Sequence, residues 1–193
     1  MLASITPLGQ RGRSASWPRM VTFYVLASAA GGAAWGTALG AVGAGLPGMG
    51  SRASLVVGAV LAVLAAAVDV RGRPLSVRRQ VDETWLMSYR DWVCGVGFGF
   101  QLGVGATTIV TSASLYLTWL LELLVASPTA GGLIGFIFGL TRALPIVGNR
   151  HVVDPESLRR SHRRWQHALR IIRPTTIATQ TAAAVALLLV VTT

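Results

Sequence analysis

The feature that most constrains this chain is a series of apolar stretches, each about as long as a bilayer is thick, separated by arginine-rich segments. A helix needs about 20 mostly apolar residues to cross a hydrocarbon core of roughly 30 Å. Inside that core every backbone N–H and C=O must find its partner within the protein, which for runs of this length means a helix. The qualifying stretches are 21–46, 54–70, 92–126, 131–148 and 175–193. The sequence therefore predicts an all-α integral membrane protein, a single polytopic domain over residues 1–193 with about five transmembrane helices. Composition agrees, since 52% of residues are hydrophobic and 12% charged, against about a quarter charged in a soluble domain.

The third stretch leaves alternatives open. As one helix it would measure roughly 50 Å, well beyond the hydrocarbon core. It is one tilted helix, a broken helix, a re-entrant element or two crossings. The arginines choose the number of crossings. Arg11, Arg13 and Arg19 precede the first stretch; Arg71, Arg73, Arg78, Arg79 and Arg90 separate the second from the third. Arg150, Arg159, Arg160, Arg163, Arg164, Arg170 and Arg173 separate the fourth from the fifth. A single crossing puts all three clusters on the cytoplasmic side, as the positive-inside rule asks; a double crossing puts the last cluster outside. The predicted topology is five crossings, N-terminus in and C-terminus out. The net charge of +10 is thereby topological, and a nucleic-acid partner, which needs a basic soluble face, is not expected. Arginine supplies all 17 basic residues. That usage fits a GC-rich bacterial genome and hence a multi-pass protein of the plasma (inner) membrane.

The start of the chain imitates a signal peptide, with arginines, the apolar Val21–Leu26 and the small residues Ala27, Ser28 and Ala29. The apolar run continues well past Ala30, so an uncleaved anchor is expected.

Glycine spacing is the most informative pattern inside the spans. Gly32, Gly36 and Gly40 lie in the first, Gly95, Gly99 and Gly103 in the third, and Gly131, Gly135 and Gly139 in the fourth. Residues four apart stack on one helix face, and a row of glycines there lets backbones approach closely in lipid. The ladders predict a compact bundle of the first, third and fourth spans. A homodimer face and space for a substrate path beside thin helices are the other readings. A fainter pattern, Pro-x-Ser-aliphatic-Arg-Arg, occurs at Pro74–Arg79 and Pro155–Arg160 and suggests internal duplication.

The basic segments predict amphipathic helices on the membrane surface. Asp154 can cap one, with Pro155 in its first position. Arg159, Arg160, Arg163, Arg164, Trp165 and Arg170 are then candidates to bind anionic lipid headgroups, and a protein partner on the same face is the alternative.

Polar residues inside a bilayer are costly and are default candidates for function. Arg142 and Gln101 lie in the fourth and third spans, and Thr107, Thr111, Ser114, Thr118 and Glu122 follow Gln101 along one helical face. Read functionally, they line a substrate path, with Glu122 a proton or cation site toward the outer surface. Read structurally, Arg142 snorkels, Gln101 bonds a neighbouring helix and the threonines bond back to their own carbonyls. Asp69, at the end of the second span, is the expected ion-pair partner of Arg142.

No catalytic motif is present: no phosphate-binding glycine loop, no nucleophile elbow and no His-Glu-x-x-His pair. An enzyme is not expected, and neither is a cofactor. Cys94, the single cysteine, cannot form an internal disulfide, and the histidines give no metal-ligand spacing. The stretch Gly97–Thr108 resembles the glycine-rich repeat helices of DsbD/CcdA-type multi-pass membrane proteins. That resemblance implies a thiol-redox carrier, but threonines stand where those proteins carry Pro-Cys, so no redox residue carries over. The functions expected are transport or transport accessory, an assembly or scaffold subunit of a membrane complex, or a degenerate thiol-redox carrier. Homo-oligomers and membrane-complex subunits are the expected protein partners.

Overall fold

The computed structural model describes residues 6–11, 16–71, 90–105 and 112–192. All regular structure among them is helical: α1 (Pro7–Arg11), α2 (Trp17–Ala44), α3 (Arg52–Arg71), α4 (Asp91–Val104), α5 (Ser114–Leu124), α6 (Pro128–Ala143), a 3₁₀ helix (Leu144–His151) and α7 (Pro155–Thr192). Four segments are long and apolar enough to cross a membrane: Trp17–Ala44, Arg52–Arg71, Pro128–His151 and Pro174–Thr192. The long third run is not one helix. It is divided into α4 and α5, 14 and 11 residues long, each too short to span a bilayer alone.

The bundle is organised around α2. A methyl group added at Gly32, Gly36 or Gly40 would overlap the carbonyls of Gly135, Gly131 and Ser127 respectively, and one at Gly139 would overlap that of Ser28. As the number rises along α2 it falls along α6, so the two helices cross antiparallel with backbone against backbone. On another side of α2, Gly95, Gly99 and Gly103 face the carbonyls of Met20, Tyr24 and Ser28. There both numbers rise together, and α4 runs parallel to α2 in constant register. Close backbone approach of this kind is how small-residue ladders pack helices without large side chains between them. The Ser28 carbonyl is the nearest atom to both Gly103 and Gly139. The Ser28 hydroxyl, fully buried, donates to the Gly139 carbonyl at 2.8 Å.

Chain turns are set by local chemistry. Between α5 and α6 only three residues intervene; Ser127 is extended and accepts from the Ala130 amide, and Pro128 opens α6, a favoured cap and first position. At the other end Asp154 caps α7, its Oδ1 accepting from the Ser157 amide at 2.8 Å. That hydrogen bond holds the Asp154 carboxyl below the usual carboxylate range.

α7 departs from expectation. A surface helix followed by a separate span was predicted; α7 is one helix of 38 residues with Pro174 inside it. Proline removes the amide that would bond the carbonyl four residues back, and the helix nonetheless continues; beside it Thr175 and Thr176 donate hydroxyls to the Ile172 carbonyl at 2.8 Å. The basic residues thus extend the last span rather than forming a helix apart from it. α7 packs mainly on α3, with Leu187 beside Gly58 and Gln180 bonded to Asp69.

These contacts place the start of α2, the end of α3, the start of α4, the 3₁₀ helix and the first half of α7 at one end of the bundle. α1 is fastened there by the Leu8 amide on the Val152 carbonyl, and Met20 and Ile146 share a core cluster with Cys94. Arg19, Arg71, Arg90, Arg150 and the α7 arginines lie at this end, and Arg52 begins α3 at the other. The Pro74–Arg79 copy of the repeat lies outside the described residues.

Candidate functional site

The break between α4 and α5 is where polar chemistry gathers. A helix ending inside an apolar bundle leaves carbonyls without amide donors, and one starting there leaves amides without acceptors. Several groups of each set find partners. At the end of α4, Gly105 adopts the left-handed conformation, φ +83°, and its amide donates to the Gln101 carbonyl. This is a glycine C-cap, strained for any residue with a Cβ. Arg142 reaches across from α6 and donates Nη1 to the Leu102 carbonyl at 3.0 Å. Trp119 of α5 donates Nε1 to the Val104 carbonyl at 3.1 Å. A guanidinium at a helix C-terminus also meets the negative end of the helix dipole. It is held there by the Phe138 ring, whose centroid lies 5.3 Å from Cζ.

The start of α5 mirrors this arrangement with opposite charge. Asp69 of α3 accepts from the Ala113 amide at 2.8 Å, from the Ser112 hydroxyl at 2.6 Å and from Gln180 Nε2 of α7 at 2.8 Å. A carboxylate at a helix N-terminus meets the positive end of the dipole. The two halves of the third run are thus held by a cation from α6 and an anion from α3. The ion pair expected between Arg142 and Asp69 is replaced by this division of labour.

The remaining predicted path residues separate. Gln101 is half-buried, and its backbone carbonyl is the acceptor for Gly105. The Ser114 hydroxyl lies 2.9 Å from that of Ser112, whose one proton goes to Asp69, so Ser114 is the donor of that pair; Thr118 donates back to the Ser114 carbonyl at 2.8 Å. Thr107 and Thr111 lie outside the described residues. Glu122 lies two residues before the end of α5, toward the end of the bundle where α3 begins, and is buried there. It is 1% exposed, and its Oε1 lies 3.1 Å from where a Cβ would stand on either Gly36 or Gly135. Its Oε2 has no hydrogen-bond partner. Trp35, next to Gly36, also keeps a buried indole N–H without an acceptor, and its ring stands 5.6 Å from that of Trp119.

A second polar region lies at the basic end. A cavity of about 540 Å³ is lined by Gly148, His151, Ser157, Arg160, Ser161 and Arg164, among others. Arg159, Arg160, Arg163 and Arg164 are exposed; the Trp165 and Arg170 side chains lie outside what is described. Among the described residues no group of three or more histidine, cysteine or acidic residues is placed to hold a metal ion.

Trp119, Ser112 and Gln180 escaped the sequence reading. Gln180 carries a usable signal, an amide inside an apolar span. Trp119 and Ser112 carry none, because their roles exist only once the third run is broken. The chain matches no family model, and neither a curated protein nor a solved structure matches it.

Proposed function

We propose that this chain is a small polytopic membrane protein of the plasma membrane that acts in transport, directly or as an accessory. In this reading it crosses five times, α4 and α5 together making one crossing, with the N-terminus in the cytoplasm and the C-terminus outside. The observation that carries the reading is a span broken inside the bundle, with its two ends held by Arg142 and Asp69 from different helices. Membrane transporters place ion and substrate sites at such breaks, because half-helix ends offer backbone groups and dipoles where lipid would tolerate neither. The exposed arginines of α7 face anionic headgroups at the cytoplasmic surface, and the cavity beside Arg160 and Arg164 suits a phosphate among them. The resemblance to redox carriers leaves only Cys94, which is buried with Met20, Tyr24 and Phe98; retention of activity in Cys94→Ala would remove a redox role.

The test is flux in vesicles reconstituted with the purified protein, with probes for protons, sodium, potassium and phosphate trapped inside. Flux above that of protein-free vesicles, lost in Arg142→Leu at unchanged elution volume, supports transport; no flux of any of the four counts against it. A scaffold role in a larger complex is the second reading. It is favoured by the membrane part of α7, where Gln180 and Ala184 are the residues buried among those described. A stoichiometric partner retained through mild detergent extraction would select it.

A further inference from the structure

Glu122 has no function in holding the break together, yet the packing is built around it. α5 carries it to the crossing of α2 and α6, where both ladders present glycine. A methyl on Gly36 or on Gly135 would stand 3.1 Å from Oε1, closer than ordinary contact allows. The glycines therefore serve two ends: they bring the backbones together, and they leave a notch for a carboxyl group.

The notch offers this group little. Oε2 is buried without a donor, and the glycines beside Oε1 have no side chains. A carboxylate is an acceptor only and needs donors on both oxygens, whereas the neutral acid brings its own O–H. Among the described residues no group of three or more acidic, histidine or cysteine side chains gathers to hold a metal ion. A counter-ion is also missing from the neighbouring helices. α5 packs against α2, α3 and α6, whose titratable residues are Arg19 and Tyr24, Arg52, Asp69 and Arg71, and Arg142; α5 itself adds Tyr116. Tyr24 lies against Gly99, Arg142 on the Leu102 carbonyl and Asp69 on the Ala113 amide, all at or below the break. Glu122 stands nine residues further along the chain than Ala113, about 13 Å of helix. Arg19 and Arg71 are at the basic end, and Arg52 at the far end.

We propose that Glu122 is a proton-exchanging group of the membrane interior, its carboxyl lodged in the Gly36–Gly135 notch and able to leave its proton only when α2, α5 and α6 shift to admit water or a donor. The inference deepens the transport reading and rests on it for the use to which the proton is put: binding and release at Glu122 would couple proton movement to rearrangement of the break, through Trp119, which stands about one turn from Glu122 and bonds the Val104 carbonyl at the end of α4.

The probe is N,N′-dicyclohexylcarbodiimide, an apolar reagent that adds to a carboxylic acid and not to a carboxylate. It is applied to the full-length protein in lipid vesicles over a series of pH values, with adducts located by mass spectrometry of the digest. The expected result is an adduct at Glu122 whose yield falls at least tenfold as pH rises. Asp69, which accepts three hydrogen bonds, should be labelled at least tenfold less at every pH. No adduct at Glu122, or a yield that does not change with pH, overturns the proposal, and this readout needs no variant to fold. Proton flux is measured on the same vesicles. Flux that disappears in Glu122→Gln and persists in Glu122→Asp supports coupling. pH-dependent labelling in vesicles without flux keeps the proton site and removes the transport reading.

Discussion

At Arg142 a guanidinium donates to the Leu102 carbonyl in the last turn of α4. Replacing it with leucine removes a charged donor from a part-buried carbonyl, a loss of about 1–3 kcal/mol. Arg142→Leu should therefore lower the melting temperature in detergent, and Arg142→Lys should recover part of the loss as a point charge without the planar fork. The glycines give a sharper contrast. Gly135→Ala puts a methyl group onto the Gly32 carbonyl and should cost about 1–3 kcal/mol through overpacking. Gly45→Ala, whose methyl would meet nothing nearer than 3.5 Å at a backbone φ of −84°, should change stability by less than about 0.5 kcal/mol. Equal effects of the two substitutions in thermal melts would refute the backbone-contact account. At this scale the ladders are legible because a four-residue period and a helix fix a face. Arg142 is legible only as an anomaly: its charge marks it, but its acceptor is created by a break that no residue type announces.

The broken third run shows where element-level reading stops. Its length rules out an ordinary span, and nothing in Gly103, Gly105 and the threonines that follow distinguishes a break from a tilt. The break is settled by long-range partners, Asp69 above all. Asp69→Ala removes the acceptor of the Ala113 amide, the Ser112 hydroxyl and Gln180. It should destabilise by about 1.5–3 kcal/mol, the range for a hydrogen bond to a charged group. Asp69→Asn keeps an oxygen for the Ala113 amide and should cost less. If amide exchange at the start of α5 is the same in both variants as in the wild type, the cap is dispensable. The start of α7 is the opposite case, since Asp154-Pro155 announces its own cap. The Ser157 amide holds the Asp154 carboxyl below the ordinary carboxylate value. Its contribution is then fully present above that ordinary value and is lost as pH falls through the lowered one. Exchange at the Ser157 amide, corrected for its intrinsic pH dependence, should accelerate over that acid range. In Asp154→Asn, which can cap without titrating, the acceleration should disappear.

Charge gives the whole molecule a direction. The structure gathers Arg19, Arg71, Arg90, Arg150 and the α7 arginines at one end of the bundle. This is the arrangement that the spacing of arginines and apolar runs implies when the third run crosses once. The inference from sequence depends only on the parity of crossings, and parity is unaffected by how the third run is bent. If the bundle lies in a membrane, the basic end faces the cytoplasm, and residues at its two ends are separated by the bilayer. In a Cys94→Ala background, Arg159→Cys marks the basic end, while Pro47→Cys and Thr192→Cys mark the other; all three positions are exposed. A membrane-impermeant maleimide added to intact bacterial cells with a permeabilised outer envelope should label Pro47→Cys and Thr192→Cys. Arg159→Cys should react only after the plasma membrane is opened. Labelling of Arg159→Cys and Pro47→Cys from the same side would break the five-crossing topology. Labelling of Thr192→Cys with Arg159→Cys would mean that α7, continuous through Pro174, stops short of the far surface. It would then be a long peripheral helix rather than a span. Only separation of all three markers as predicted leaves α4 and α5 as one crossing. That crossing places the Arg142–Asp69 break and Glu122 inside the membrane, where buried charge has a use that a soluble bundle would not require.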